Sequence, residues 1–325
     1  MAVILGLERL KGLLTMREAI DLLEGTLLHE ATGRTFVSPK HVAGFEGGSL
    51  RMLFAADYEA GFFATKAYHN IQGVGVRYVV SLYRLSDGEL LALLDGQIIT
   101  DLRTGAASGV VARRTKVEGP VSIGVIGSGH QARSQLESLA SVYPVRAAFV
   151  FSPTAAHREV FADEMSARLG IPVTAAGSVK EAVRGCAVVA AASGARGGEP
   201  ILRGEWLGGC RLLCAVGNTR PQFAEVDARC FADAELIVVD SQHAFDEAGD
   251  LREAVKGGAV SQTKRATLAQ VAAGKVKVPR QGLVAFKSVG TALQDLALAA
   301  RFYERLQAVE GIPTAVDLAA LRAVR

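Results

Sequence analysis

Apolar residues recur along this chain with changing period, and the changes divide it. Thr15-Met16-Arg17-Glu18 has the form of a capping box, in which the threonine hydroxyl and the glutamate carboxylate satisfy free backbone N–H groups. Ile20, Leu22, Leu23, Leu27 and Leu28 then follow helical spacing until Gly33. From 36 to 99 the texture turns β-rich. Runs at 75–83 and 90–94 alternate with turns at Ser86-Asp87-Gly88 and Asp95-Gly96, which predicts an antiparallel sheet built from hairpins. Residues 100–111 read as a helix opened by Asp101 and Thr104.

Beyond Val121 the rhythm becomes strand, helix, strand. An apolar run at 121–126 breaks into Gly127-Ser128-Gly129-His130-Gln131-Ala132 and then into a helix. A strand is predicted over 145–151 and a helix over 154–169 closed by Gly170, with further strands over 171–174, 187–192, 211–216 and 236–240. Strands spaced this way by helices predict an α/β fold, a Rossmann-type doubly wound parallel sheet. A long helix over 288–308, with Val289, Leu293, Leu296, Ala300 and Tyr303 on its apolar face, follows the last parallel unit and is free to return to the first domain.

Composition adds bounds. A chain of 325 residues that is 50% hydrophobic can bury a core large enough for two domains, and 35 glycines with few aromatics suit an α/β protein. A net charge of +3 makes no case for nucleic acid or membrane, and Arg113-Arg114-Thr115-Lys116 reads as a solvated linker. Cys186, Cys210, Cys214 and Cys230 show no metal-ligand spacing and read as small buried thiols. The first residues lack a signal peptide's basic and apolar regions, and no apolar run approaches the ~20 residues that span a bilayer. A cytoplasmic protein without bound metal is the expectation.

The chemistry begins at the glycine turn. Between a strand and a helix, Gly127 allows a tight turn, Gly129 leaves room for phosphates, and Ala132 lets helix pack on strand, as a dinucleotide's pyrophosphate requires. An NAD-binding sheet carries an acidic residue about 20 positions further on. Here the next strand ends at Ser152, followed by His157 and Arg158, while Asp163 and Glu164 come too late. A hydroxyl and nearby cations favour NADP(H), with NAD(H) the alternative. Upstream, Arg103 precedes the small residues Thr104-Gly105-Ala106-Ala107-Ser108-Gly109. It reads either as a guanidinium fork for a carboxylate or as an ordinary surface arginine. His69 and His130 read as surface or satisfied histidines.

Several stretches together resemble the ornithine cyclodeaminase and μ-crystallin family. They are 95–107, Gly127 to Ala132, Asn218-Thr219-Arg220-Pro221 with Glu225-Val226-Asp227, Val239-Asp240-Ser241 with Glu247 to Asp250, and 286–295. The resemblance implies a substrate-binding and dimerisation domain over 1–115, a Rossmann domain over 116–287, and a C-terminal helix over 288–325 that completes the first. It implies a homodimer acting on imines of small α-amino acids with a nicotinamide cofactor. Arg103 would grip the substrate carboxylate and Lys66 would be the active-site lysine. Ser193, Val216, Gly217, Asn218 and Ser288 would line the nicotinamide end. On residue type alone, Lys66 reads as a solvated strand lysine.

Three departures refine this. Where many members carry Pro-x-Arg, the chain has Pro39-Lys40-His41, leaving His41, Lys40 or Arg77 to supply a second contact to the carboxylate. The family's Met-Pro-Ala becomes Leu53-Phe54-Ala55. At the position where true cyclodeaminases place an aspartate, the chain has Asn218, which cannot act as a base at neutral pH, while Asp227 reads as a helix cap. The expectation is an NAD(P)H-dependent reductase of a small α-imino acid, cyclic or formed from a keto acid and an amine. A cyclodeaminase and an NADPH-dependent ligand-binding protein are the alternatives.

Overall fold

In the computed structural model the alternating stretch is a sheet whose long hairpins run β4 (Gly48–Asp57), β5 (Phe62–Ile71), β6 (Gly75–Arg84) and β7 (Leu90–Asp95). The structure describes residues 2–309 apart from 195, 196 and 198, together with 315 and 316. Strands β2 (Thr35–Val37) and β3 (His41–Phe45) both pair with β4, and β1 (Ala2–Leu5) lies parallel to β7 with the short β16 (Ala315–Val316) beyond it. Sequence reading did not anticipate β1, because four residues carry too little pattern. The capping box forms, with Glu18 N donating to the Thr15 hydroxyl and Thr15 N donating to the Glu18 carboxylate at 2.8 Å, and its helix runs Met16–Ala31.

Alternation gives this sheet two faces. Leu53, Ala55, Ala64, Val80, Leu82 and Leu94 are buried on one, where the helix Ala292–Val309 packs across β4 and β5 and also meets the helix Met16–Ala31. Phe36, Met52, Phe54 and Val79 stand exposed on the other.

The second sheet is parallel throughout, in the order β10 (Val173–Ala175), β9 (Val145–Phe151), β8 (Val121–Ile126), β11 (Val188–Ala191), β12 (Leu212–Ala215), β15 (Leu283–Lys287), β13 (Ala234–Val239) and β14 (Arg265–Thr267). Its central strands β8, β11, β12 and β15 are buried end to end because both faces are covered, and they are apolar apart from Ser122 on β8 and Lys287 on β15, whose ammonium donates to the buried Asp250 carboxylate at 2.9 Å. Strand order reverses between β8 and β11, which opens a crevice at their carboxyl ends. Two compact units result, residues 1–103 with 291–325 and residues 104–290. No helix among the described residues is long and apolar enough to cross a membrane.

Two predicted helix starts are corrected. The helix expected from Thr100 begins at Gly96, because the Asp95 carboxylate accepts the Gln97 N–H at 2.8 Å and so caps it earlier than Asp101 could. The helix expected from Ser288 begins at Ala292. The intervening residues are drawn aside by Asp240, whose carboxylate accepts the Ser288 hydroxyl at 2.6 Å, Val289 N–H at 3.0 Å and Gly290 N–H at 2.7 Å. Gly290 takes φ of +79°, a conformation that glycine adopts without strain.

Candidate active site

In the parallel unit, β8 ends at Gly127, which takes φ of +112°, and a Cβ there would collide with the Ala192 carbonyl. Gly129 caps the helix His130–Val142 and has nothing within 4 Å of where its Cβ would lie, so backbone donors face open space. Ala132 is fully buried behind the turn. A cleft of about 690 Å³ follows, lined by Gly127, Ser128, Gly129, His130, Ser152 and Ser193 among others. The donors, the helix N-terminus and the close approach at Gly127 fit a dinucleotide's pyrophosphate.

At the tip of β9 the Ser128 hydroxyl donates to that of Ser152 at 3.0 Å. Arg158 donates to the Ser152 carbonyl at 2.9 Å and lies over the Phe151 ring. Arg133 pairs with Glu164 at 2.7 Å. Among the described residues no carboxylate pairs with Ser152 or Arg158 at the strand tip itself.

Other expected cofactor positions lie on the loops after β12 and β15, and buried acids brace them. The Glu225 carboxylate accepts the Ser193 hydroxyl at 2.6 Å and the Gly217 N–H at 3.0 Å, tying the ends of β11 and β12 together. Burial pushes the Glu225 carboxyl above its ordinary range. Asn218 closes its own loop, donating to the Phe223 carbonyl and accepting the Arg220 N–H at 3.0 Å. Its amide is therefore a loop clasp rather than the free cofactor contact expected from sequence. Val216, Gly217, Asn218 and Ser288 do not line the cleft that gathers the glycine turn.

In the antiparallel unit Lys66 is buried, not solvated. It extends from β5 on the covered face of the sheet, and its ammonium donates to Asp295 Oδ1 at 2.7 Å and to the Thr100 hydroxyl at 2.6 Å. The Tyr78 and Tyr68 rings lie 5.0 and 5.9 Å from it. Arg103 is buried too. Its Nε stands 3.4 Å from the same Asp295 oxygen without a hydrogen bond, and its Nη1 donates to Gln294 at 3.3 Å. One carboxylate thus serves two cations. Burial lowers the Lys66 ammonium to about 8, with Arg103 acting in the same direction and Asp295 opposing. A buried cation pair short of one counter-charge can take up a carboxylate and can give or hold a proton near neutral pH.

His41 and Arg77 are not part of this cluster. His41 pairs with Met52 and Arg77 with His69, whereas Lys66 pairs with Leu53 and Val80. Period-two alternation therefore puts His41 and Arg77 on the opposite face. His41 stacks there on Phe54. Lys40, one residue earlier, contributes a positive field at Lys66. Sequence reading missed Asp295, Thr100 and Gln294. A carboxylate one turn into a helix otherwise lined by Leu293, Leu296 and Ala297 was the available signal.

The fold and the glycine crevice define an oxidoreductase built around a dinucleotide-binding sheet. The chain belongs to the ornithine cyclodeaminase/mu-crystallin family, whose model matches residues 2–310. It is 31% identical over 240 residues to a Delta(1)-pyrroline-2-carboxylate reductase from Bacillus cereus, covering 71% of this chain and 73% of that one. It is 32% identical over 225 residues to ketimine reductase mu-crystallin from Mus musculus, covering 69% and 68%. Among solved structures, Delta(1)-pyrroline-2-carboxylate reductase from Thermococcus litoralis in complex with NADH and L-proline superposes with a TM-score of 0.90 at 29% identity, covering 96% of this chain and 99% of that one.

Proposed function

We infer that this protein is a nicotinamide-dependent reductase of a small α-imino acid. The observation that carries this reading is the buried Lys66–Asp295–Arg103 cluster in a chain whose relatives bear reductase names. When bound, the dinucleotide supplies the hydride, which goes to the imino carbon. Arg103 holds the substrate carboxylate by its planar fork and so fixes the α-carbon. Lys66 holds a proton at Nζ for the substrate nitrogen. Asp295 orients the ammonium and keeps it protonated against the cost of burial. Thr100, whose hydroxyl also donates to the Gly96 carbonyl at 2.6 Å, fixes the direction of the Lys66 chain. NAD(P)H oxidation with cyclic and open-chain α-imino acids tests the reading, and a protein that oxidises cofactor with none of them does not have this function.

NADP(H) is the cofactor we propose, with NAD(H) accepted more weakly. Ser152, the Arg158 guanidinium beside it and the lack of an acid at the tip of β9 support it. Ser152→Asp is expected to lower the ratio of NADPH to NADPH-plus-NADH turnover efficiency, cutting NADPH efficiency by about 10-fold or more, because a carboxylate repels a 2′-phosphate and accepts from ribose hydroxyls. Steady-state kinetics with both cofactors measures this, and an unchanged preference contradicts it.

We also propose a homodimer joined through the outer sheet face. Phe36, Phe45, Leu50, Met52, Phe54 and Val79 are each between 38% and 50% exposed there, and the Phe36 and Phe54 rings stack at 5.7 Å. Clustered apolar exposure of this kind supports association through this face. Sedimentation velocity is expected to find a dimer in the parent protein and a monomer in Met52→Glu/Phe54→Glu. A parent that sediments as a monomer at micromolar concentration contradicts the dimer.

A further inference from the structure

On the covered face of the first sheet, beside the aromatic rings next to Lys66, stands a further cation that neither the proposed chemistry nor the expected site uses. Arg51 lies two residues before Leu53 on β4 and pairs with Tyr68, itself paired with Tyr78. It therefore projects on the Lys66 face of the sheet, not the His41 face. Its guanidinium stands 5.6 Å from the centre of the Tyr68 ring, and Lys66 Nζ lies 5.9 Å from the same centre. The Tyr68 and Tyr78 rings are 5.2 Å apart and form a shared aromatic wall beside both cations. Arg51 is half-buried and forms no ion pair among the described residues, unlike Arg34, Arg84, Arg133 and Arg229, which have carboxylate partners.

Charge decides what this arrangement accepts. Lys66 and Arg103 share a single carboxylate, Asp295, Arg51 adds a third cation at the Tyr68 ring on the same face, and Lys40 and Asp101 add one charge of each sign. A monocarboxylate bound at Arg103 leaves a cation uncompensated in a partly desolvated site. A second carboxylate, reaching along the tyrosine wall, balances it.

We propose that Arg51 binds a second carboxylate of the substrate, so that the imine reduced is that of a dicarboxylic α-keto acid. This rests on the α-imino-acid reductase reading and specifies its substrate class. The keto acid and ammonia form the imine with loss of water. Hydride from the reduced cofactor adds to carbon, a proton adds to nitrogen, and the acidic amino acid and oxidised cofactor leave.

Two readouts test it in the full-length protein with cofactor. Calorimetry in the presence of oxidised cofactor compares L-aspartate and L-glutamate with L-alanine and L-proline. Kinetics compare oxaloacetate or 2-oxoglutarate plus ammonia with pyruvate plus ammonia and with pyrroline-2-carboxylate. The parent protein is expected to favour the dicarboxylates in both. Arg51→Ala is expected to weaken dicarboxylate binding and raise their KM by about 10- to 100-fold while changing monocarboxylate values by less than about threefold. Arg51→Lys, which keeps the charge without the fork, is expected to retain part of the preference. Equal losses on both classes, or no change on either, overturn the assignment of Arg51 while leaving imine reduction intact. A parent protein that reduces none of these imines overturns the reductase reading itself.

Discussion

Replacing Arg103 with alanine is expected to lower kcat/KM for every α-imino acid substrate by about 10²–10⁴-fold, the loss of two charge-assisted hydrogen bonds at roughly 1.5–3 kcal/mol each. The effect should fall on both parameters. Without the fork KM rises because the carboxylate has lost its main partner, and kcat falls because the α-carbon is no longer held in one orientation. Asp295 keeps Lys66 as its partner in this variant, so the fold should survive, and the melting temperature serves as the control. Arg103→Lys should recover only a small part of the activity, since an ammonium offers charge but no planar pair of donors. Parent-like kinetics in Arg103→Ala would remove this residue from the site.

Lys66→Met carries the second large effect. Removing the proton-bearing group is expected to reduce kcat by about 10²–10⁴-fold, the range of general acid catalysis, with a smaller change in KM. Methionine preserves the bulk of the lysine stem, and Arg103 remains 3.4 Å from Asp295, so the carboxylate is not stranded without a counter-charge. The pH profile separates this role from a structural one. With the Lys66 ammonium lowered to about 8, the protonated form is full below that value and lost above it. Turnover in the reductive direction should therefore decline as pH rises through about 8. The oxidative direction, which needs the free amine, should rise over the same interval. In Lys66→Met the residual activity should lose this inflection. A parent profile that is flat from pH 7 to 9 would show that Lys66 does not carry the proton.

How far the sequence could lead is clearest in particular residues. The glycine turn was legible because its function is local. A strand, Gly127, Gly129 and a helix start lie within a dozen residues, and that proximity is what makes a phosphate cradle. The alternating sheet and the capping box at Thr15 were legible for the same reason. Lys66 was not legible from its surroundings. Ala64, Lys66 and Tyr68 share a face that could as well have met water. What buries that face is a helix carrying Asp295, 229 residues further along the chain.

Family motifs pointed to Lys66 and Arg103, yet they misled at His41. Matching Pro39-Lys40-His41 to Pro-x-Arg gave the histidine a site role. Strand register instead turns it outward and brings Arg51 in, and that parity depends on knowing which residue of β4 faces which residue of β5. The start of the last helix was misplaced because Asp240, nearly 50 residues upstream, competes for the backbone at Ser288 to Gly290. In each case the missing information was a long-range partner rather than a local preference.

The central claim is that hydride passes to the imino carbon of an α-imino acid. The most direct measurement uses cofactor carrying deuterium at both C4 positions of the nicotinamide with a keto acid and ammonia, or with pyrroline-2-carboxylate, followed by mass spectrometry and NMR of the amino acid formed. One deuterium per molecule at the α-carbon, with oxidised cofactor formed in equal amount, is the predicted result. An amino acid formed without deuterium at that carbon, or no consumption of cofactor with any of these imines, would contradict it.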